Sequence, residues 1–464
     1  MRRTRILVTI GPACDDSATI GALLDAGADA FRLNFSHGNH ATHAASYQRI
    51  REASTARGRS VAILQDLGGP KIRIGSLAEP IKLEEGARLV IEQGDFVGSG
   101  GRVSCAFDAL FTSVGSGQTL LLDDGRIELI VTSAEPGRLT TRVTAGGLLE
   151  SKKGINVPDV ALRTSALTAK DVDDLRAGIA MGVDLLAVSF VQSPDDILLA
   201  RSAASAAGAP DIGIVAKIEK PQAVERIDEI LDVADGLMVA RGDLGIEVPL
   251  ERLPAIQKRL ILAARRNGVP VIVATQVLES MRTEPRPTRA EVTDAAHAVD
   301  ERADAIMLSG ETAVGRYPVR AVSTLDAIVV EAERMLEPGV VVVPDGASWS
   351  EHGRAICEAA VALAGRARAS AIVALTEAGK TARMLAALRP AARIFAATSS
   401  ASTAARLALV WGVTPIVAEL TTVAAVRQAL LTRGLVTPGA IVVFVSMHTV
   451  LGREDTNFMH VERI

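Results

Sequence analysis

Three cysteines in 464 residues, Cys14, Cys105 and Cys357, leave little scope for covalent or metal cross-links. The number is odd and the spacing fits no metal-binding pattern, which excludes a disulfide framework and a cysteine-held zinc and suits a reducing compartment. A charge excess is missing as well: 50 basic residues face 54 acidic ones. No overall field draws the chain to nucleic acid or to an anionic membrane, so small molecules are the expected partners. Arg2, Arg3 and Arg5 precede only a five-residue apolar run ending at Gly11-Pro12, too short for a secretory core, and no run reaches membrane-spanning length. The cytoplasm is the expected location. Low-complexity linkers and short repeats are lacking, and 48% apolar residues suffice for several cores, roughly three domains by length.

What the chain does have is a rhythm of short apolar runs, each bounded by turn residues and most followed by a helical pattern. Strands are expected at 6–10, 30–35 and 60–67 and, after a long interruption, at 185–191, 212–218, 236–242, 269–276 and 304–310. Eight such units imply a closed parallel (β/α)8 TIM barrel, an α/β fold whose active site lies where the strands end. Polar residues cluster there: Arg32, Asn34, Asp66, Lys217, Glu219, Arg241, Asp243, Thr275, Ser309 and Glu311. The interruption reads as short alternating strands broken by turns such as Asp123-Asp124-Gly125, an inserted small β-barrel domain placed to act as a lid. Beyond it, strands at 371–376, 393–399, 413–418 and 440–446 alternate with helices as in an open α/β sheet. The expected division is therefore barrel 1–70, lid 71–159, barrel 160–343 and C-terminal regulatory α/β domain 344–464.

The densest chemistry lies in IGIVAKIEKPQAV, 212–224. Residues two apart on a strand share a face, so the Lys217 ammonium and the Glu219 carboxylate project together. Twenty-four residues after Lys217 the next strand ends in Arg241 and Asp243 among glycines. Carboxylates from consecutive strand ends can share a hard divalent cation, completed by substrate oxygens and water. A lone strand-end acid more often caps a helix. Beside Lys217, the pair suits a phosphoryl group in transfer. RLNFSHG, 32–38, sets a guanidinium, an amide, a hydroxyl and an imidazole after the second strand, but nothing supplies His37 with an orienting partner. Thr275 alone reads as a buried threonine, since a hydroxyl donates a proton poorly unless water relays it.

ILVTIGPA, RLNFSHG, the Gly69–Arg73 segment, SKKGIN, IVAKIEKPQAV, MVARGDLGIE, ATQVLESM, PTRAEVTDAAHAV and DAIMLSGETAVGRYPV together resemble the pyruvate kinase family, in family order. The resemblance implies transfer of a phosphoryl group from phosphoenolpyruvate to ADP, giving pyruvate and ATP, by a cytoplasmic homotetramer. It implies that Glu219 and Asp243 hold Mg²⁺ (or Mn²⁺) and that Lys217 stabilises the group in flight. Arg32, Gly242, Asp243 and Thr275 match substrate positions, Thr275 helping to protonate the enolate through water. Asn34, His37, Arg73 and Lys153 match nucleotide-side positions.

Two departures from the family pattern stand out. Many relatives need K⁺ at positions matching Asn34, Ser36, Asp66 and the Leu67 backbone, and carry glutamate where this chain has Lys71. An ammonium at that site could supply the charge of K⁺, and Leu67 and Ile74 replace polar residues of the same pattern, so K⁺ independence is expected. In the C-terminal domain TEAGKTA (Thr376, Glu377, Ala378, Gly379, Lys380, Thr381, Ala382) matches a loop that binds an effector's phosphate, a sugar phosphate or nucleotide, with Ala378 in place of a serine hydroxyl. Gly-Lys-Thr before a helix suits phosphate, but Ala374 rules out a Walker loop. A metal-dependent enolate aldolase or mutase would not need Arg73 and Lys153. A nucleotide sensor descended from a kinase would not need Lys217, Glu219, Asp243 and Thr275 together.

Overall fold

The computed structural model describes residues 2–158, 160, 165–336, 351–419, 423–446 and 457–464. The expected boundaries at Asp159 and at 343/344 fall outside them. Eight parallel strands close a ring in chain order: Arg5–Thr9, Ala30–Asn34, Ala62–Asp66, Leu185–Val188, Gly213–Ile218, Gly236–Ala240, Val271–Ala274 and Ala305–Leu308, the last pairing with the first. All eight expected barrel strands are present. They end earlier than the apolar runs suggest, because the last residues of several runs already turn into the loops that carry the chemistry.

Helix starts follow local chemistry. Thr168 and Thr288 form capping boxes with Asp171 and Glu291 before the helices Ala169–Met181 and Arg289–Asp300, and Pro221 opens the helix after the fifth strand. Strand alternation sorts the barrel into two cores. Ile6, Val8, Phe31, Ile63, Val188, Ile214 and Val239 face the helices. Leu7, Ala30, Leu64, Ala187, Val215, Met238, Ala274 and Met307 fill the interior, closed from below by Leu409 of the C-terminal domain.

The insertion between the third and fourth barrel strands contributes a six-stranded sheet and a two-stranded ribbon, Ile81–Leu83 with Gly147–Leu149, around a single core. Its ends lie close together: Arg73 bridges Gly154, and Ile74 N–H donates to the Lys153 carbonyl at 3.0 Å. The C-terminal domain is a five-stranded sheet ordered Val413–Val417, Arg393–Thr398, Ala371–Leu375, Ile441–Ser446, Phe458–Arg463. The last strand is antiparallel and lies outside the expected set; of its apolar residues Phe458 is partly buried and Met459 and Val461 are exposed. This domain docks on the lower rim, where Arg389 pairs with Asp304 at 3.0 Å and lies over Trp411. No helix among the described residues is long and apolar enough to cross a membrane.

Candidate active site

Side chains alternate along a strand, so residues two beyond the interior layer face the barrel mouth from the same side. Counting on from Leu7, Ala30, Leu64, Ala187 and Val215 gives Thr9, Arg32, Asp66, Ser189 and Lys217. These five, with Glu219, form one group joined by hydrogen bonds and ion pairs. Arg32 Nε donates to Asp66 Oδ2 at 2.6 Å, and its Nη1 to Thr9 Oγ1 at 3.3 Å. Lys217 Nζ lies 2.6 Å from Ser189 Oγ, 2.9 Å from Glu219 Oε1 and 3.1 Å from Asp66 Oδ1. The last contact is an ion pair off the line of a directed hydrogen bond, and Oδ1 has no other partner.

Apart from the partly exposed Arg32 the group is buried: Lys217 is 9% exposed, Glu219 and Asp66 1%. Burial works against the Lys217 ammonium, yet Asp66 and Glu219 overcome it and raise its pKa. Asp66 is likewise opposed by burial but held below the usual carboxylate range by Lys217 and Arg32. Glu219 is shifted the other way: burial raises its pKa, Lys217 only partly opposes this, and the charge of Asp243 pushes it further up. Glu219 and Asp243 repel each other, Lys217 is shared with Asp66, and Lys71 reaches Asp243 only at 3.8 Å, so the pair can take further positive charge. Among the described residues no three His, Cys, Asp or Glu side chains gather into a self-sufficient metal cage. A two-carboxylate site fits a hard cation that keeps water and takes substrate oxygens, as Mg²⁺ does.

Asp243 departs from the strand-end position expected of it. The sixth strand stops at Ala240, and Asp243 lies in the first turn of the helix Arg241–Glu247, where the helix dipole favours an acid. Thr275 also falls just past its strand, with φ +68°. Its hydroxyl donates to the Ala274 carbonyl at 2.6 Å and accepts from Gly242 N–H at 2.7 Å, so Thr275 and Gly242 are fixed against each other. Arg241 turns away to Asp294 at 2.7 Å, and Glu311 is spent on the backbone N–H groups of Leu278 and Ser309. Both shape loops and leave the mouth.

The other expected positions spread around this centre. Asn34 Oδ1 accepts from Ser36 N–H at 3.1 Å; Ser36 and His37 are exposed in the turn that follows. Arg73 is exposed and donates to the Lys152 carbonyl at 3.0 Å. Lys153, next to it across the lid base, pairs with Asp123 at 2.8 Å and Glu150 at 3.0 Å. Leu67 and Ile74 are buried. Lys71 pairs with Asp243 at 3.8 Å, whereas Asp66 already has Lys217 and Arg32; the lysine expected beside the K⁺ positions thus reaches the cation carboxylate instead.

The TEAGKTA loop sits below the barrel, away from its mouth. Gly379, with φ +83°, precedes the helix Lys380–Ala387; Thr376 Oγ1 accepts from Gly379 N–H at 3.0 Å, and Thr381 is buried. Glu377, Ala378 and Lys380 line a cavity of about 770 Å³ between this domain and the barrel floor. The cavity contains none of the carboxylates of the barrel mouth.

Sequence reasoning missed Ser189, Phe190, Lys220 and Asn156. Phe190 N–H donates to Glu219 Oε2 at 2.7 Å, and Glu247 accepts from both Asn156 at 2.8 Å and Lys220 at 2.7 Å, tying the lid base to the helix that carries Asp243. Ser189 was within reach of the parity count from Ala187; the others depend on tertiary approach.

Family models for the pyruvate kinase barrel domain and the pyruvate kinase alpha/beta domain match residues 1–322 and 354–462. The chain is 43% identical to the pyruvate kinase of Geobacillus stearothermophilus, over all of this chain and 80% of that protein. It is 41% identical to that of Mycobacterium intracellulare, over all of this chain and 98% of the relative, and 42% to that of Methylorubrum extorquens over 90% and 87%. With barrel, insertion and C-terminal sheet in place and a buried lysine between carboxylates at the barrel mouth, the chain belongs to the pyruvate kinase family of phosphotransferases.

Proposed function

We propose that this chain transfers the phosphoryl group of phosphoenolpyruvate to ADP at the mouth of its barrel, with Lys217 and Arg32 supplying fixed positive charge and Thr275 assisting protonation of the enolate. The observation that carries the reading is the Lys217 ammonium held between Asp66 and Glu219, with Asp243 close enough to act on Glu219. Glu219 and Asp243 are the residues that would hold Mg²⁺ or Mn²⁺. When bound, the cation supplies positive charge to the phosphoryl oxygens.

The side chains divide the remaining work. Arg32, braced by Asp66, presents a guanidinium to the substrate's anionic groups. Lys217 is preorganised, so no reorganisation is needed as charge moves to the transferring oxygens. Thr275 and the Gly242 backbone, at the ends of the neighbouring seventh and sixth strands, flank the substrate, and the Thr275 hydroxyl helps a water deliver the proton to the enolate carbon. Asn34, His37, Arg73 and Lys153 take the nucleotide side, the last two from the lid base. The lid, 71–159, excludes water during transfer. A homotetramer in the cytoplasm, and a phosphate-bearing effector on the loop Thr376, Glu377, Gly379, Lys380 and Thr381, complete the proposal by family likeness.

Potassium is not required in this reading. The Lys71 charge stands 3.8 Å from Asp243, and a further monovalent cation nearby would be repelled. Pyruvate formation from phosphoenolpyruvate, measured with and without ADP in potassium-free buffer, tests both statements. ADP-dependent pyruvate that changes less than about twofold on adding KCl is expected; Lys71→Glu should create a many-fold KCl response. ADP-independent pyruvate would point to a lyase or phosphatase, and a many-fold KCl response of the unaltered enzyme would refute the potassium reading alone.

A further inference from the structure

We propose that Ser189 is a positioning residue for the phosphoryl transfer, and that the Ser189-Phe190 corner at the end of the fourth barrel strand holds Lys217 and Glu219 in register; this rests on the roles assigned to those two residues above. An ammonium has three N–H donors and no acceptor. The Lys217 amine makes a directed hydrogen bond to Ser189 Oγ at 2.6 Å and ion pairs with Glu219 Oε1 at 2.9 Å and, off the hydrogen-bond line, with Asp66 Oδ1 at 3.1 Å. If Glu219 is to serve a cation, Oε1 must be released by Lys217, and the donor so freed is the one left for substrate oxygen. Ser189 and Asp66 are then what keep the ammonium from following Glu219 or swinging into the mouth.

Ser189 is built for that task. It is 2% exposed, and its hydroxyl hydrogen is committed to the Leu67 carbonyl at 2.7 Å, so its lone pairs point to Lys217. The next residue acts on the other partner. Phe190 has φ +56°, a left-handed conformation costly for a residue with a bulky side chain, and this turn aims its N–H at Glu219 Oε2 at 2.7 Å. One corner thus accepts from the amine and donates to the acid. The chain entering the lid passes close to the same corner: a Cβ on Gly69 would lie 2.8 Å from the Phe190 ring and 2.9 Å from Ser189 Cβ.

The test compares the full-length enzyme with Ser189→Ala, Ser189→Cys and Ser189→Thr. Cysteine keeps the volume but accepts a hydrogen bond weakly, which separates a lost bond from a lost packing contact. Loss of a hydrogen bond to a charged group predicts kcat down by about ten- to hundredfold in the Ala and Cys variants, with KM for phosphoenolpyruvate within about threefold. Mn²⁺ affinity without substrates, read by electron paramagnetic resonance, should weaken several-fold in both, because Lys217 then leans on Glu219. The melting temperature should stay close to that of the unaltered enzyme, and Ser189→Thr, which retains the hydroxyl, should recover most of kcat. A Ser189→Cys variant with unaltered kcat and Mn²⁺ affinity overturns the inference, as does a kcat loss that threonine does not restore. If the unaltered enzyme forms no pyruvate, it is the assigned activity that fails.

Discussion

Removing the Lys217 amine probes the assigned chemistry and the folded state separately. Lys217→Met keeps a long apolar stem but leaves Asp66 with Arg32 alone and Glu219 with only the Phe190 N–H. Breaking a buried ion pair by deleting one partner costs roughly 3–5 kcal/mol, because the remaining charge is left uncompensated. Two carboxylates are affected here, but Arg32 still serves Asp66, so a loss near the lower end, about 3 kcal/mol, is expected. That lowers the melting temperature without unfolding the barrel, whose apolar interior layer is untouched. Catalysis should suffer more: removing one preorganised charge aimed at a developing transition state costs about 10²–10³ in kcat. Lys217→Arg sharpens the test. It restores the charge, and hence most of the stability, but a longer planar group cannot occupy the three-way contact among Ser189, Asp66 and Glu219, so kcat stays low. Steady-state pyruvate release and a thermal melt suffice. Turnover by Lys217→Met within a few-fold of the unaltered enzyme would refute the argument.

Gly69→Ala should lower stability by about 1–3 kcal/mol, from its left-handed backbone and the clash with Phe190, and reduce kcat. Gly58→Ala is the control: φ is +59° but nothing lies within 4 Å of the added atom, so only the backbone cost of about 1–2 kcal/mol should appear, with kcat unchanged. Equal effects on kcat from both would rule out the hinge contact. A third prediction concerns pH. Asp29 is buried, which raises its pKa, but Arg2 at 2.8 Å, Arg5 at 3.3 Å and the Ile6 N–H at 2.9 Å outweigh burial and depress it. A depressed carboxylate stabilises the fold above its unfolded pKa of about 3.9, and that contribution is lost as pH falls through the folded value. Asp29→Asn should therefore melt well below the unaltered enzyme at pH 7, with the gap closing below about pH 4. A gap that stays constant down to pH 3 contradicts the ion-pair account.

Much of this protein follows from periodicity. The alternation of apolar runs and helical segments determined eight strands in chain order, and period two placed Lys217 and Glu219 on one face, a contact now seen at 2.9 Å. Composition alone made a disulfide framework and a general affinity for nucleic acid poor expectations. Other features were not legible. Asp66 and Lys217 stand on the third and fifth barrel strands, and their pairing depends on closure of the ring around the fourth. Lys71 meets Asp243 through the path of the lid hinge, and the Phe190 N–H reaches Glu219 through a backbone angle that nothing in its side chain announces. Strand pattern is a local property written in each run, whereas a shared proton donor or an ion pair across strands depends on distances fixed only when the sheet curves shut.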